Sequence, residues 1–285
     1  MTPAEPRLGY IGLGNMGAPM AKRLLDSPGG VTVFDVRAEA VAPLAEAGAT
    51  PAGSVAEVAG TADIISVTVL DDAQVREVVA ALAANAKPGT VVAIHSTISD
   101  TTAVELAAQL QPLGIHLVDA PVSGGAAAAE KGELATMVGA ERAVYERVKP
   151  TFKRWASLVI HAGEPGAGTR MKLARNMLSF TAFAAAGEAM RLAEAAGLDL
   201  QTLGRVVRHT DAFTGGPGVV MLRDTAGPLP VDHLLYQPFT HARGLGEKDL
   251  SLALGLGAAI GVDLPLAREA LQTLAAALGV PHVRN

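Results

Sequence analysis

Lys172 and Asn176 stand four residues apart in the stretch Gly166-Ala167-Gly168-Thr169-Arg170-Met171-Lys172-Leu173-Ala174-Arg175-Asn176. In a helix that spacing places an amine and a carboxamide on one face. An amine can give and take a proton, and a carboxamide beside it can orient the molecule that exchanges that proton. Arg175, three residues after Lys172, flanks the same face and adds a permanent positive charge. Upstream, Ser123-Gly124-Gly125 closes the run Asp119-Ala120-Pro121-Val122 and supplies a hydroxyl and successive backbone N–H groups with no Cβ in the way. Such a nest suits a carboxylate. Proton transfer, orientation and an anion cradle together describe chemistry on a small acid.

A second anion site is written near the N-terminus. The apolar run Leu8-Gly9-Tyr10-Ile11 feeds into Gly12-Leu13-Gly14-Asn15-Met16-Gly17, after which Met20, Leu24 and Leu25 recur at helical spacing. In a strand–turn–helix unit, Gly12 allows the tight turn, Gly14 lets backbone N–H groups approach a pyrophosphate, and Gly17 permits close packing of helix on strand. Gly12, Gly14, Asn15, Met16 and Gly17 are therefore dinucleotide-binding candidates. A second strand, Val31 to Phe34, ends in Asp35, 23 residues beyond Gly12, about where an acid meets the adenosine ribose diol. A carboxylate there repels a 2′-phosphate, which favours NAD. Arg37, two residues on, keeps NADP as the alternative.

The elements that must carry these groups alternate. Strand signals at 64–69 and 91–94 are followed by helical patterns at 73–82 and 101–110, and further strands read at 115–118, 134–138 and 157–160. This order predicts right-handed crossovers and a parallel sheet whose ligands collect at strand carboxyl ends. Leu70 and Asp71, and then His95, Ser96 and Thr97, lie just past two of those ends and are assigned to the cofactor cleft, His95 as a hydrogen-bonded structural residue. After Glu164-Pro165-Gly166 strand signals stop. Helical segments follow at 168–196, 200–209, 246–260 and 264–278, with a Gly/Pro-rich loop at 210–238 holding one short helix near Val219. The fold class is α/β: an N-terminal Rossmann-type parallel-sheet domain at 1–164, then an all-α substrate and oligomerisation domain at 165–285, joined by a long helix.

Composition narrows the function. A net charge of −5 without a long Lys/Arg run argues against nucleic acid as a partner. The absence of cysteine excludes disulfides, thiolate metal sites and cysteine nucleophiles, and the scattered histidines form no ligand pair, so no metal is expected. The apolar stretch 180–186 is too short between charges to span a bilayer, and Met1 to Arg7 does not read as a signal segment, so a cytoplasmic protein is expected. The apolar surface of the 168–196 helix exceeds what one small domain covers, which predicts a homodimer or homotetramer.

The glycine run at 12–17, the Asp119–Gly125 motif, the Lys172–Asn176 helix and Lys248-Asp249-Leu250, in this order and spacing, resemble the β-hydroxyacid dehydrogenases across essentially the whole chain. The branch most resembled contains 3-hydroxyisobutyrate dehydrogenase and tartronate semialdehyde reductase. The resemblance implies hydride transfer between a nicotinamide dinucleotide and a short, 3-hydroxyisobutyrate-like β-hydroxy acid. It implies Lys172 as acid/base, Asn176 as substrate positioner, Ser123, Gly124 and Gly125 as carboxylate holders, Thr97 beside the nicotinamide ribose, and Lys248 reaching over the cofactor. Two departures stand out: Arg175 replaces a common asparagine, and His241 stands where the family usually has an aromatic, seven residues before Lys248. The competing readings are an imine or other carbonyl-type reductase and a non-catalytic dinucleotide-binding module, and Lys172 argues against both.

Overall fold

A computed structural model describes residues 5–223 and 225–282, so most of the Met1–Arg7 stretch lies outside the described residues. Six strands run parallel: β1 (Leu8–Ile11), β2 (Val31–Phe34), β3 (Thr50–Pro51), β4 (Ile64–Val67), β5 (Val91–Ile94) and β6 (His116–Asp119). Their order in the sheet is β3-β2-β1-β4-β5-β6. Helices α1 (Gly17–Lys22), α2 (Ala38–Glu46), α3 (Val55–Thr61), α4 (Asp72–Asn85) and α5 (Asp100–Leu110) alternate with them. Short apolar strands suit a sheet covered on both faces. Along β5, Val91 and Ala93 enter one buried cluster with Tyr10, Met20 and Trp155, while Val92 and Ile94 enter a second with Val75 and Leu106. That is the period of two expected of a strand.

The parallel sheet expected from sequence is present, and beyond β6 it is extended by strands that are not all parallel. After β6 come β7 (Val122–Ser123), α6 (Gly125–Lys131), β8 (Leu134–Gly139), α7 (Arg142–Phe152) and β9 (Ala156–Gly163). β8 is antiparallel to β6 and β7 and parallel to β9. Parallel return needs a crossover of a dozen or more residues. The short α6 link turns the chain back antiparallel beside β7 instead.

Helix α8 (Ala167–Ala195) follows, and by contacts the chain divides inside it into two compact units, residues 1–176 and 177–285. The opening turns of α8, with Lys172 and Asn176, thus belong to the sheet unit. The second unit holds the rest of α8, α9 (Leu200–Thr214), α10 (Tyr236–Ile260) and α11 (Pro265–Leu278), with a 3₁₀ segment at Gly216–Leu222 where a short helix was expected. α10 begins well before the expected residue 246. Pro238 is only its third residue, in the first turn, where a missing N–H costs nothing, so the proline did not mark the end of a loop. The longer helix puts His241 and Lys248 two turns apart on one face. Gly246 lies so near Leu274 that a Cβ would meet the leucine at 2.6 Å, so that glycine serves the α10–α11 packing. No described helix is long and apolar enough to cross a membrane.

Candidate active site

Ladder hydrogen bonds align the strand ends. Gly12 N–H donates to the Phe34 carbonyl (2.9 Å), Thr68 to Ile11 (2.8 Å), His95 to Val67 (2.8 Å) and Ala120 to Ile94 (2.8 Å). Gly12, Thr68, His95 and Ala120 therefore stand side by side at the carboxyl edge, around the point where strand order reverses between β1 and β4. Open α/β sheets bind ligands there.

The glycine loop is built for close approach. Gly12 has φ +88°, and a Cβ on it would overlap the Thr68 carbonyl; a Cβ on Gly17 would overlap the carbonyl of Gly12. Gly14 is different: no atom lies within 4 Å of the place its Cβ would take. The loop is packed below and open above. Asn15 is exposed, and Met16 packs against the core at the start of α1. This backbone fits a dinucleotide pyrophosphate.

Asp35 closes β2 and reaches back to the same loop. One carboxylate oxygen accepts from Leu13 N–H at 2.7 Å, and the other accepts from Arg37 N–H at 2.9 Å and the Arg37 guanidinium at 3.2 Å. Burial pushes its pKa up, but the N–H donors of Leu13 and Arg37 and the guanidinium charge together hold it below the usual aspartate value. Arg37 is thus engaged by Asp35 itself.

Among the residues past β4 and β5, Leu70 and Thr97 are exposed. Ser96 ties the two loops, its hydroxyl donating to the Val69 carbonyl (2.7 Å) and accepting from Val69 N–H (2.9 Å). Asp71 caps α4 by accepting from Gln74 N–H at 2.9 Å, a local role within the loop assigned to the cleft. His95 is buried, with Nδ1 2.8 Å from the Ala120 carbonyl and Nε2 3.1 Å from Ser66 Oγ. The neutral ring satisfies both, donating from Nδ1 and accepting at Nε2. Burial drops its pKa to about 4.

Lys172 is only 8% exposed, and its amine donates to the Val122 carbonyl at 2.6 Å. The amine therefore sits at the peptide joining Val122 to Ser123, the first residue of the predicted nest. Burial and then the nearby charge of Arg175 push the ammonium below the ordinary lysine range. Ser123 is half-buried; Gly124 and Gly125 are exposed with positive φ, and the Cβ place at Gly125 is open. Arg175 Nη1 lies 3.4 Å from the Asn176 side-chain oxygen. Lys172, Arg175, Asn176 and the Ser123–Gly125 segment thus share one unit. Lys248 and His241 belong to the other, both exposed, Lys248 3.1 Å from Asp249.

Two contributors were not assigned a role from sequence: the Val122 carbonyl and Asp119. Asp119 is fully buried and accepts from Gly166 N–H and Thr169 N–H, each at 2.7 Å. A usable signal was present, since Asp119 closes an apolar strand just as Asp35 does. Among the described residues no group of three or more His, Cys, Asp or Glu could hold a metal ion.

Sheet order and glycine loop define a dinucleotide-binding protein of the Rossmann class. Residues 7–163 match the NAD-binding domain of 6-phosphogluconate dehydrogenase, and residues 166–280 match the NAD-binding domain of NADP-dependent 3-hydroxyisobutyrate dehydrogenase. An uncharacterized oxidoreductase of Mycobacterium tuberculosis is 69% identical over 98% of this chain and 96% of its own length. A crystal structure of a Mycobacterium avium 104 protein is 74% identical, with TM-score 0.94 over 98% of this chain and 100% of that one. A Mycobacterium tuberculosis 3-hydroxyisobutyrate dehydrogenase structure with L-serine is 32% identical, with TM-score 0.68 over 95% and 93%. The chain belongs to the NAD(P)-dependent hydroxyacid dehydrogenases of the 6-phosphogluconate and 3-hydroxyisobutyrate dehydrogenase type.

Proposed function

We propose that this protein transfers a hydride between NAD and a short, 3-hydroxyisobutyrate-like β-hydroxy acid, with Lys172 as the general acid/base. The observation that carries the reading is the buried Lys172 amine held on the Val122 carbonyl, at the mouth of the Ser123–Gly125 nest. The nicotinamide, when bound, supplies the hydride acceptor or donor. Ser123, Gly124 and Gly125 hold the substrate carboxylate, and Asn176 orients the hydroxyl toward Lys172. In oxidation the neutral amine takes the hydroxyl proton; in reduction the ammonium returns one to the nascent alkoxide. Burial and the charge of Arg175 lower the ammonium's pKa, which eases proton transfer to and from the substrate oxygen.

Asp35 supports NAD over NADP, because its ionised carboxylate faces the loop and engages Arg37, a cation of the type that would bind a 2′-phosphate. Gly12, Gly14, Asn15, Met16 and Gly17 would hold the pyrophosphate, Leu70 and Thr97 the nicotinamide side, and Lys248 would contribute from the helical unit. Arg175 borders the substrate and selects for negative charge on it. Active units assemble as homodimers or homotetramers through the apolar helical surface.

The test is the initial rate with NAD and with NADP across a panel of 3-hydroxy acids, in wild type and Lys172→Ala. The variant is expected to lose roughly 10²- to 10⁴-fold in turnover, the range for general acid–base groups, with dinucleotide affinity nearly intact. Turnover within a few-fold of wild type would remove Lys172 from the mechanism. Activity on cyclic imines without activity on hydroxy acids would replace the substrate class.

A further inference from the structure

Asp119 is a buried carboxylate to which the proton-transfer chemistry gives no role. Its two oxygens take the N–H groups of Gly166 and Thr169, at the entry and in the first turn of α8. Three residues further along each strand of this contact, the Val122 carbonyl takes the amine of Lys172. The segment 119–125 and the first turns of α8 are therefore pinned to one another at two points with equal spacing, Asp119 to Thr169 and Val122 to Lys172. The fit between them leaves no slack. A Cβ on Gly168 would overlap the carbonyls of Met137 and Asp119, and one on Gly139 would overlap the Asp119 carboxylate. Burial pushes the Asp119 pKa up, while the N–H groups of Thr169 and Gly166 oppose that shift, as expected of an acid fixed on a helix N-terminus.

We propose that Asp119 is a positioning residue for Lys172: its carboxylate fixes the rotation and height of α8 against the 119–125 segment, so that the amine meets the anion nest. This rests on the reading of Lys172 as acid/base. Deleting the anchor leaves the loop and the lysine present but free to shift, and small displacements of a reacting group are costly in rate.

The helical unit offers a matched control. Glu188, 5% exposed, takes the N–H groups of Leu266 (2.8 Å) and Ala267 (3.1 Å) at the start of α11, the same device placed later on α8, in the other unit from Lys172. In Asp119→Asn, turnover is expected to fall about 10- to 100-fold. Dinucleotide affinity stays the same, and the Lys172 resonance in [13Cε]lysine spectra, assigned with Lys172→Arg, titrates closer to the other lysines. In Glu188→Gln the melting temperature falls while turnover and the Lys172 titration stay as in wild type. A folded Asp119→Asn with unaltered Lys172 titration and turnover would overturn the proposal, as would equal losses of turnover in both variants. If Asp119→Asn does not fold, Asp119→Ser, which leaves room for a water to bridge the two N–H groups, replaces it; failure of both to fold would make Asp119 a folding determinant only and overturn positioning. If Lys172→Ala keeps its turnover, the acid/base reading fails, and the Lys172 titration in Asp119→Asn still decides whether Asp119 places the amine.

Discussion

Every residue of β1, β4 and β5 in the sheet unit is buried, whereas α9 in the helical unit buries none of its fifteen. The sheet unit encloses two clusters, one on each face; among the described residues the helical unit has one small cluster around Leu229, Phe239, Leu278 and Val280. Large apolar side chains exposed on the helical unit include Met177, Phe180, Phe183, Val206, Phe213, Met221 and Leu252. Monomeric proteins rarely leave so much apolar surface uncovered. The contrast separates two tasks. The sheet unit completes its own core and can hold a site rigidly, while the helical unit leaves apolar side chains exposed, the surface on which the proposed assembly rests.

Both units nevertheless use one device at helix starts. Asp119 and Glu188 are buried acids that satisfy the orphan N–H groups of α8 and α11. In the sheet unit the capped helix carries the candidate acid/base. In the helical unit it carries packing alone.

The sharpest way to break the comparison is to charge the helical surface. Phe180 and Phe183 meet edge to face at 5.9 Å and are 62% and 69% exposed. Phe180→Glu with Phe183→Glu is expected to weaken self-association on the order of 10³-fold, as loss of two aromatic anchors implies. Sedimentation would then show monomers, with the sheet unit still folded by Trp155 fluorescence. A wild type already monomeric at micromolar concentration would refute the assembly.

On the sheet side, Gly12→Ala should abolish dinucleotide binding, an effect of about 100-fold or more in affinity, since a Cβ forces the loop off the Thr68 carbonyl and sits at positive φ. Calorimetric titration with NAD measures it, and wild-type affinity would show that the loop can relax. Gly14→Ala, with open space at its Cβ, should leave the fold intact and weaken binding only through the ligand itself.

The two units should also part in acid. His95 is neutral in the fold, with a pKa near 4 against an ordinary 6.5, so the unfolded chain binds the extra proton first as pH falls. Its contribution is full above the ordinary value and is lost as pH drops toward 4, to a limit on the order of 3 kcal/mol. Trp155, the single tryptophan, packs against the His95 ring at 5.4 Å and reports that melting directly. Urea midpoints followed by its fluorescence should fall between pH 7 and pH 4 in wild type and show a shallower slope in His95→Gln. An equal slope in both would assign the acid sensitivity elsewhere.

The smallest effect is on cofactor choice. Asp35→Ser frees Arg37 and removes the repulsion of a 2′-phosphate, so the ratio of NADP to NAD efficiency should rise about tenfold, the scale of one lost charged hydrogen bond. No change in the ratio would mean that Asp35 serves the loop through Leu13 and not the ribose.

Much of this was legible in the residues themselves. Glycine at 12 and 17 is demanded by backbone that approaches too closely for any Cβ, and a chain that needs such contacts must write them as glycine. The apolar runs of β1, β4 and β5 read as strands because both faces of the sheet are covered. The start of α10 is not legible in the sequence, because proline signals a break by composition whereas its cost depends on which turn of the helix it occupies. The antiparallel pairing of β7 and β8 is not legible, because strand signals carry no direction and the two-residue β7 carries no strand signal of its own.

By itself, then, the sequence determined the dinucleotide loop, the run of alternating strands and helices, the change to helix after Gly166, and the presence of Lys172, Asn176 and Ser123-Gly124-Gly125 as chemical groups. Only the tertiary structure decided that the Lys172 amine rests on the Val122 carbonyl and that Asp119 holds the helix carrying it. The physical reason is range. Backbone sterics and periodicity act between neighbours and leave their mark on residue types, whereas a hydrogen bond between residues fifty positions apart exists only once the chain between them has folded.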